Sequence, residues 1–304
     1  MDIILQALIS GLLQGSVYAM LAVAFSIIYM TTRTINFALG PQMLIGALIY
    51  FTLTFGGPFL GGTVDPGIPL FVAFAISVVL SILIGLLVHT FGLRPLGQFD
   101  PNSNIGWILT TLAIGLILVE TGRLIFEEAN RPVPPIIQSI GGQESILNIP
   151  PQKYLIFLVG IAIALALETL HRKTKLGRGL RATAHDRNTA ALMGINTNFM
   201  ILYSFGLAGA IAAVAAWLLI PVVFVDFNAL GTFIGLKAFV GAVVGGIGST
   251  RGALVGGLVV GLAESMTVVF QAQQWGDAVV FVLLILILMV KPTGILGEAR
   301  IEKV

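Results

Sequence analysis

The sequence has no cysteine and very little charge. Lys, Arg, Asp and Glu make up 10% of its 304 residues, against roughly 25% in soluble domains. Without cysteine, disulfides, iron–sulfur clusters and thiolate-bound zinc are excluded, and His89, His171 and His185 are too scattered to indicate a metal site. A net charge of +2 is too small to indicate nucleic-acid binding. We therefore expect no cofactor and no nucleic-acid partner.

Apolar residues dominate instead, at 57% of the chain. A soluble protein of this length could not bury so much apolar surface, because the buried fraction grows slowly with chain length. Runs of about 20 apolar residues predict membrane helices. No Lys or Arg precedes the first run, so we read it as a retained span rather than a signal peptide. The candidate spans lie at about 3–30, 35–55, 69–90, 104–125, 153–171, 197–222, 230–248, 252–271 and 276–290.

These runs predict an all-α polytopic membrane protein, with 1–304 as a single transmembrane domain. We expect eight or nine crossings, because the Gly-rich 230–248 segment carries Lys237 and is a candidate for a broken or re-entrant helix. Lys and Arg concentrate in cytoplasmic loops, and the loop at 172–196 is the most basic. Alternating outward from it places the C-terminal tail, with Lys291, Arg300 and Lys303, in the cytoplasm.

The segment at 35–42 interrupts two apolar runs with Asn36, Phe37, Gly40, Pro41 and Gln42. Non-helical backbone at membrane depth is tolerated only inside protein or beside a water-filled cavity. One interpretation is therefore that the segment lines the centre of the protein. The other is an ordinary helix start, with Asn36 as the N-cap and Pro41 in the first turn.

A second interruption is the Gly-rich turn that contains Gly245, Gly246 and Gly248. Small residues allow membrane helices to pack closely, and the Walker pattern of a phosphate-binding loop is missing. If ATP drives this protein, the ATPase is therefore a separate subunit. The two interruptions occupy similar places in the two halves of the chain, which suggests the paired discontinuous segments of a transporter built from repeats.

Lys237 and Glu264 are the deepest charges in the predicted spans, and we expect them to form a buried pair. The pair could gate or line a path, or it could be a structural ion pair that fixes helix packing, which is the more common case. Glu120, Arg123 and Glu168 lie near span ends, where we expect them to reach the interface.

Within the 172–196 loop, a short helix is predicted from Leu180 to Met193, ended by Gly194. Its apolar residues, among them Leu192 and Met193, could dock into a groove on a partner. Its arginines could instead bind anionic lipid headgroups. On charge alone, an ordinary positive loop on the cytoplasmic side is the better explanation of the segment.

Four motifs in the same order resemble the branched-chain amino-acid ABC transporter permeases of the LivH/LivM type, and LivH-like members most closely. Residues 181–196 resemble their coupling segment, and Ile-Asn-Phe-Ala-Leu-Gly at 35–40 their first-half signature. The run at 235–257 resembles the second-half signature, and Lys-Pro-Thr-Gly-Ile-Leu-Gly at 291–297 the tail. Leu39 stands where the family usually has His.

The resemblance implies a subunit that does no chemistry of its own. It implies pairing with a second homologous permease, two cytoplasmic ATP-binding subunits and a periplasmic substrate-binding protein. Import of Leu, Ile and Val is expected, with urea, amides or other amino acids as alternatives. An ion-coupled secondary transporter is the rival class, since such proteins use intramembrane acids. The residues that the resemblance assigns to coupling with the ATPase are Arg181, Asp186, Ala190, Ala191, Leu192 and Gly194. The residues expected along the translocation path are Asn36, Phe37, Gly40, Gln42, Lys237, Gly245, Gly246, Gly248 and Glu264.

Overall fold

The computed structural model of the chain describes residues 2–65, 67–96, 105–127, 133–134, 151–223 and 225–297. Nearly all of this part is helical, and the only strands in it form one short hairpin. Arg300 and Lys303, two of the tail cations, lie outside the described residues. The helices are α1 (Asp2–Thr32), α2 (Leu39–Phe55), α3 (Leu70–Leu87), α4 (Ile105–Phe126), α5 (Pro151–Lys173), α6 (Lys175–His185), α7 (Arg187–Leu192), α8 (Thr197–Val223), α9 (Ile234–Gly245), α10 (Thr250–Met266) and α11 (Gly276–Val290).

Among the described residues, five helical stretches are long and apolar enough to cross a membrane: Ile3–Thr32, Leu70–Leu96, Gly106–Phe126, Pro151–Lys173 and Thr197–Val223. Shorter apolar helices lie at Leu39–Phe55, Ala229–Gly245 and Gly276–Val290. At 1.5 Å per residue, a helix of 17 residues is about 26 Å long, less than the roughly 30 Å of a bilayer core. The chain is therefore an all-α polytopic membrane protein with discontinuous helices, as the sequence predicts.

Contacts along the chain form two compact units, each assembled from separate stretches of sequence. The first unit takes in the described parts of residues 1–27, 139–170 and 237–304. Close approach of small residues organises it: α10 packs against α1 with Gly257 beside Ala19 and Gly261 beside Gly15. A side chain at either glycine would collide with the α1 backbone, so these glycines permit the contact.

The second unit takes in the described parts of residues 28–138 and 171–236. Its centre is α2, which contacts α3, α4 and α8 and is buried at every position from Leu39 to Leu48. The strands β1 (Gly57–Phe59) and β2 (Gly62–Val64) follow α2 as an antiparallel hairpin. Leu60 at its tip donates its N–H to the Ile125 carbonyl, so the hairpin lies at the C-terminal end of α4.

The single helix predicted from Leu180 to Met193 is wrong. The structure has two helices, α6 and α7, and the chain breaks between them at Asp186. The backbone of Asp186 is extended (φ −152°, ψ 116°), and its carboxylate caps α7 by accepting from the N–H groups of Asn188 and Thr189. Asp is a favoured N-cap residue, so a signal for this break was present in the sequence.

The 230–248 segment is not broken within its apolar run. A π-helical turn at Ala229–Phe233 leads directly into α9, and the regular helix ends at Gly245. Gly246 (φ +107°) and Gly248 (φ +92°) then form the turn to α10, in a backbone region that favours glycine. The number of membrane crossings stays a prediction.

Candidate translocation and coupling sites

The first candidate site is the interruption between α1 and α2, in the second unit. Residues 33–38 are non-helical. They lie beside α4, where the Thr111 hydroxyl accepts from the Phe37 N–H and donates to the Ile35 carbonyl, at 3.3 Å each. Thr111 is the seventh residue of α4, so the interruption lies within the length of a spanning helix.

Asn36 is not the N-cap of α2. That position belongs to Ala38, and no side chain caps the helix. The buried Asn36 side chain instead bends the backbone locally, because its Oδ1 accepts from the Ala38 N–H at 3.1 Å. Its Nδ2 has no partner among the described residues. Pro41 does lie in the first turn of α2, so one half of the ordinary-helix interpretation is right.

Gly40 brings the two family-like signatures together inside the second unit. A side chain on Gly40 would meet the Gly231 carbonyl at 3.0 Å and the Gly235 Cα at 3.1 Å. The start of α2 therefore packs directly on the helical segment that leads into α9. This contact joins the interruption at 33–38 to the first residues of the second-half signature.

Gln42, one turn into α2, lies between α3 and α8. Its Nε2 donates to the Ser81 carbonyl at 2.5 Å, and the two helices leave room for the amide at Gly85 and Gly209. Its Oε1 has no partner among the described residues. Asn36 and Gln42 thus each have one buried polar atom without a hydrogen-bond partner among the described residues.

The second candidate site is an ion network in the first unit. The Lys237 ammonium lies 2.6 Å from Glu264 Oε1 and 2.6 Å from Asp277 Oδ1. The Tyr18 hydroxyl donates to Glu264 Oε2 at 2.7 Å and accepts from Gln14 Nε2 at 2.8 Å. The expected pair of Lys237 and Glu264 is present, but it belongs to a network of five residues on α1, α9, α10 and α11. Sequence reasoning missed Asp277, because an acid in the first turn of a helix has an ordinary explanation there.

The Gly-rich turn after α9 is occupied by the tail of the chain. Ile295 and Leu296 donate their N–H groups to the carbonyls of Val244 and Gly245, at 2.8 and 2.9 Å. Gly246 and Gly294 are in backbone contact. The second-half signature and the tail motif therefore pack against each other at this turn. A place for Gly245, Gly246 and Gly248 along the translocation path stays a prediction.

Glu168 forms an ion pair between two helices, and its place at the membrane interface stays a prediction. Its carboxylate accepts from Arg251 Nε at 2.6 Å, and its side chain is only 15% exposed. The bond ties α5 to the first turn of α10. Glu120 and Arg123, in contrast, pair with each other on the exposed side of α4 at 2.9 Å.

The third candidate site is the segment formed by α6 and α7, in the second unit. Leu192 is 88% exposed and Met193 79% exposed, although both are apolar. Ala191 and Gly194 are exposed beside them, and Ala190 is buried below. Gly194 (φ +83°) ends α7 as the sequence predicts. Leu192 and Met193 therefore present a small apolar surface at the C-terminal end of α7.

Several contacts attach this segment to the spans. The Arg33 side chain, at the end of α1, donates to the Ala184 carbonyl. Arg187 donates to Asn198 Oδ1 on α8 at 2.7 Å. Arg181 donates to the His171 carbonyl at the end of α5, so its contacts within the chain orient α6. The segment is thus held by three spanning helices.

The Asp186 cap is maintained by charge. Hydrogen bonds from the Thr189 N–H and hydroxyl, together with the Asn188 N–H, lower the pKa of the Asp186 carboxyl below its ordinary value. The carboxylate is therefore ionised at neutral pH, and the negative charge suits the N-terminus of α7.

Taken together, a lipid-soluble helical bundle with buried interruptions and an exposed apolar helix outside its spans defines a multi-pass membrane transport subunit. More particularly, the chain belongs to the family described as branched-chain amino acid transport system / permease component, whose model matches residues 7–288.

Two relatives are similar over almost their whole length. The chain is 34% identical to the high-affinity branched-chain amino acid transport system permease protein BraD of Pseudomonas aeruginosa, covering 99% of this chain and 98% of the relative. It is also 34% identical to the permease protein LivH of Escherichia coli K12, covering 99% and 97%. Among solved structures, PsaBC from Streptococcus pneumoniae in complex with Fab shares the fold, with a TM-score of 0.50 and 16% identity over 95% of this chain and 92% of that one.

Proposed function

We propose that the chain is the translocation subunit of an ABC importer that carries Leu, Ile and Val into the cytoplasm. Its sequence has no nucleotide-binding loop, so two cytoplasmic ATP-binding subunits hydrolyse the ATP. A second homologous permease completes the pathway, and a periplasmic substrate-binding protein delivers the amino acid. The C-terminus lies on the cytoplasmic side.

The observation that carries this proposal is the exposed apolar end of α7 in a chain of this family. Leu192 and Met193 are well placed to enter a groove on an ATPase subunit. Because α6 and α7 are bound to α1, α5 and α8, movement of the ATPase would pass to three helices at once. The buried interruption at 33–38 then lies where the path opens and closes.

Reconstitution in proteoliposomes tests the proposal. The chain is combined with its ATPase subunits, second permease and binding protein, and uptake of labelled leucine, isoleucine and valine is followed with and without internal ATP. We expect uptake only with ATP and with all components. Uptake driven by an ion gradient in the absence of the ATPases would show a secondary transporter instead.

The same preparation distinguishes the substrates. Unlabelled urea, short amides and other amino acids are added as competitors, and the binding protein is titrated with each. Competition by leucine, isoleucine and valine alone supports the proposed substrate class. Competition by urea or amides without effect from leucine would contradict it while leaving the ABC mechanism in place.

A further inference from the structure

A basic corner lies where α5 ends and α6 begins. It consists of Lys173, Lys175 and Arg178, all exposed. The sequence from 169 to 185 contains no Asp or Glu. Lys173, Lys175 and Arg178 pair with no acid among the described residues. The corner is therefore a patch of uncompensated positive charge.

The nearest acids along the chain are already engaged. Glu168 accepts from Arg251, and Asp186 accepts from Asn188 and Thr189 as the cap of α7. Neither is available to neutralise the corner. No acid among the described residues therefore neutralises it.

The position of the corner coincides with the end of a span. Lys173 is the last residue of α5, and it lies three residues after Leu170, where the apolar run of that helix ends. Thr174 caps α6 by accepting from the Gly177 N–H at 3.0 Å. Lys175 and Arg178 are three residues apart on α6 and thus lie on one face, and Leu176 beside them is 36% exposed. Cations adjoining a partly exposed Leu at a span end suit the level of lipid headgroups.

From this arrangement we infer that the basic corner binds the phosphate groups of anionic phospholipids and so anchors the start of α6 at the membrane surface. The exposed Lys and Arg residues are confined to the half of the segment next to the span. The exposed apolar residues, Leu192 and Met193, are the last residue and the C-cap of α7, beyond the 11 residues and roughly 16 Å of α6. Lipid and protein partners thus occupy different ends of one segment.

Lipid retention by the purified permease complex tests this inference without ATP or transport, so the result does not depend on the proposed function. The complex is placed in nanodiscs of phosphatidylcholine that contain increasing phosphatidylglycerol, and quenching by brominated phosphatidylglycerol reports binding next to a fluorophore on α6. The test variant is Lys173→Gln/Lys175→Gln/Arg178→Gln. The control is Lys153→Gln, near the opposite end of α5.

A juxtamembrane cation contributes about 1 kcal/mol of attraction to an anionic surface, which is about fivefold in binding. We therefore expect the triple variant to bind phosphatidylglycerol on the order of 100-fold more weakly. The control variant and a Lys175→Arg variant should retain binding. Retained monodispersity and helicity of the triple variant exclude misfolding as the cause.

Four outcomes would overturn the inference. Equal quenching by brominated phosphatidylcholine and phosphatidylglycerol in the wild type would show no preference for anionic lipid. Equal binding by the triple variant would place the lipid elsewhere. Competition by inorganic phosphate with no preference among lipids would identify a soluble anion as the ligand, and loss of ATPase subunits from the triple variant with unchanged lipid binding would identify a protein contact.

Discussion

The Lys237 ammonium lies 2.6 Å from the Asp277 carboxylate, joining α9 to the first turn of α11. The Glu264 carboxylate on α10 contacts the same ammonium, also at 2.6 Å. Since the Lys237 side chain is only 9% exposed, its charge depends on these two carboxylates. One residue thus holds three consecutive helices together.

Lys237→Met should lower the free energy of unfolding by about 3–5 kcal/mol, because removing one member of a buried pair leaves its partners uncompensated. Heating in detergent, followed by the loss of monodisperse protein, measures the change. Adding Glu264→Gln and Asp277→Asn should restore much of the stability. If the restored variant also transports normally, the network is structural only; if Lys237→Met alone is as stable as wild type, the network is unimportant.

Gly246→Ala and Gly294→Ala should each destabilise the turn at the end of α9. Both glycines have positive φ, and a side chain on either would lie 2.5 Å from backbone of the facing turn. The left-handed backbone costs about 1–2 kcal/mol, and overpacking adds about 1–3 kcal/mol. Gly61→Ala is the matched control, with φ +77° and open space around the site. Equal thermal stability of the three variants would contradict the packing argument.

Gly235→Ala should impair both stability and uptake, since its methyl group would lie 2.8 Å from the Gly40 Cα. The expected loss is about 1–3 kcal/mol. Gly106→Ala on α4 has nothing within 4 Å and should be neutral or slightly stabilising, because Ala favours a helix. Normal uptake by Gly235→Ala would show that the two signatures need not pack closely.

Leu192→Asp should separate ATP hydrolysis from uptake while the membrane fold survives, because the side chain is 88% exposed. Co-purification of the ATPase subunits and the ratio of ATP hydrolysed to leucine transported measure the effect. Leu60→Asp, 69% exposed on the hairpin, is the control for an added surface charge. Gly194 is a poorer test position because its φ of +83° makes any substitution strained. Full coupling in Leu192→Asp would remove α7 from the mechanism.

Asp186→Ala should weaken coupling and Asp186→Asn should largely preserve it, since Asn also caps helices. The pKa of the Asp186 carboxyl is lowered in the folded protein. The stability that the charged cap gives to α7 is therefore complete above the ordinary Asp pKa of about 3.9. It is lost only as the pH falls through the lowered pKa. Coupling measured between about pH 5 and 8 should show no titration from this group. If coupling changes with pH in that range in the wild type but not in Asp186→Asn, the Asp186 carboxyl titrates there and the expectation is wrong.

The sequence alone determined the fold class, the positions of the apolar helices and the family. These follow from local properties: the length of apolar runs, glycines and prolines at their ends, and four short motifs in order. The nine predicted runs have counterparts from α1 to α11, with α6 and α7 between the spans. The Asp186 break was missed because a helical pattern was given priority over a capping residue.

Tertiary structure alone decided which residues meet. Tyr18 and Glu264 are 246 positions apart and share a hydrogen bond, and Gly40 meets Gly235 across most of the chain. A buried charge or a glycine in a membrane helix indicates that a close partner exists, but the pattern along the helix does not identify it. The partner is selected by the packing of whole helices, which depends on all their contacts at once and leaves no local trace in the sequence.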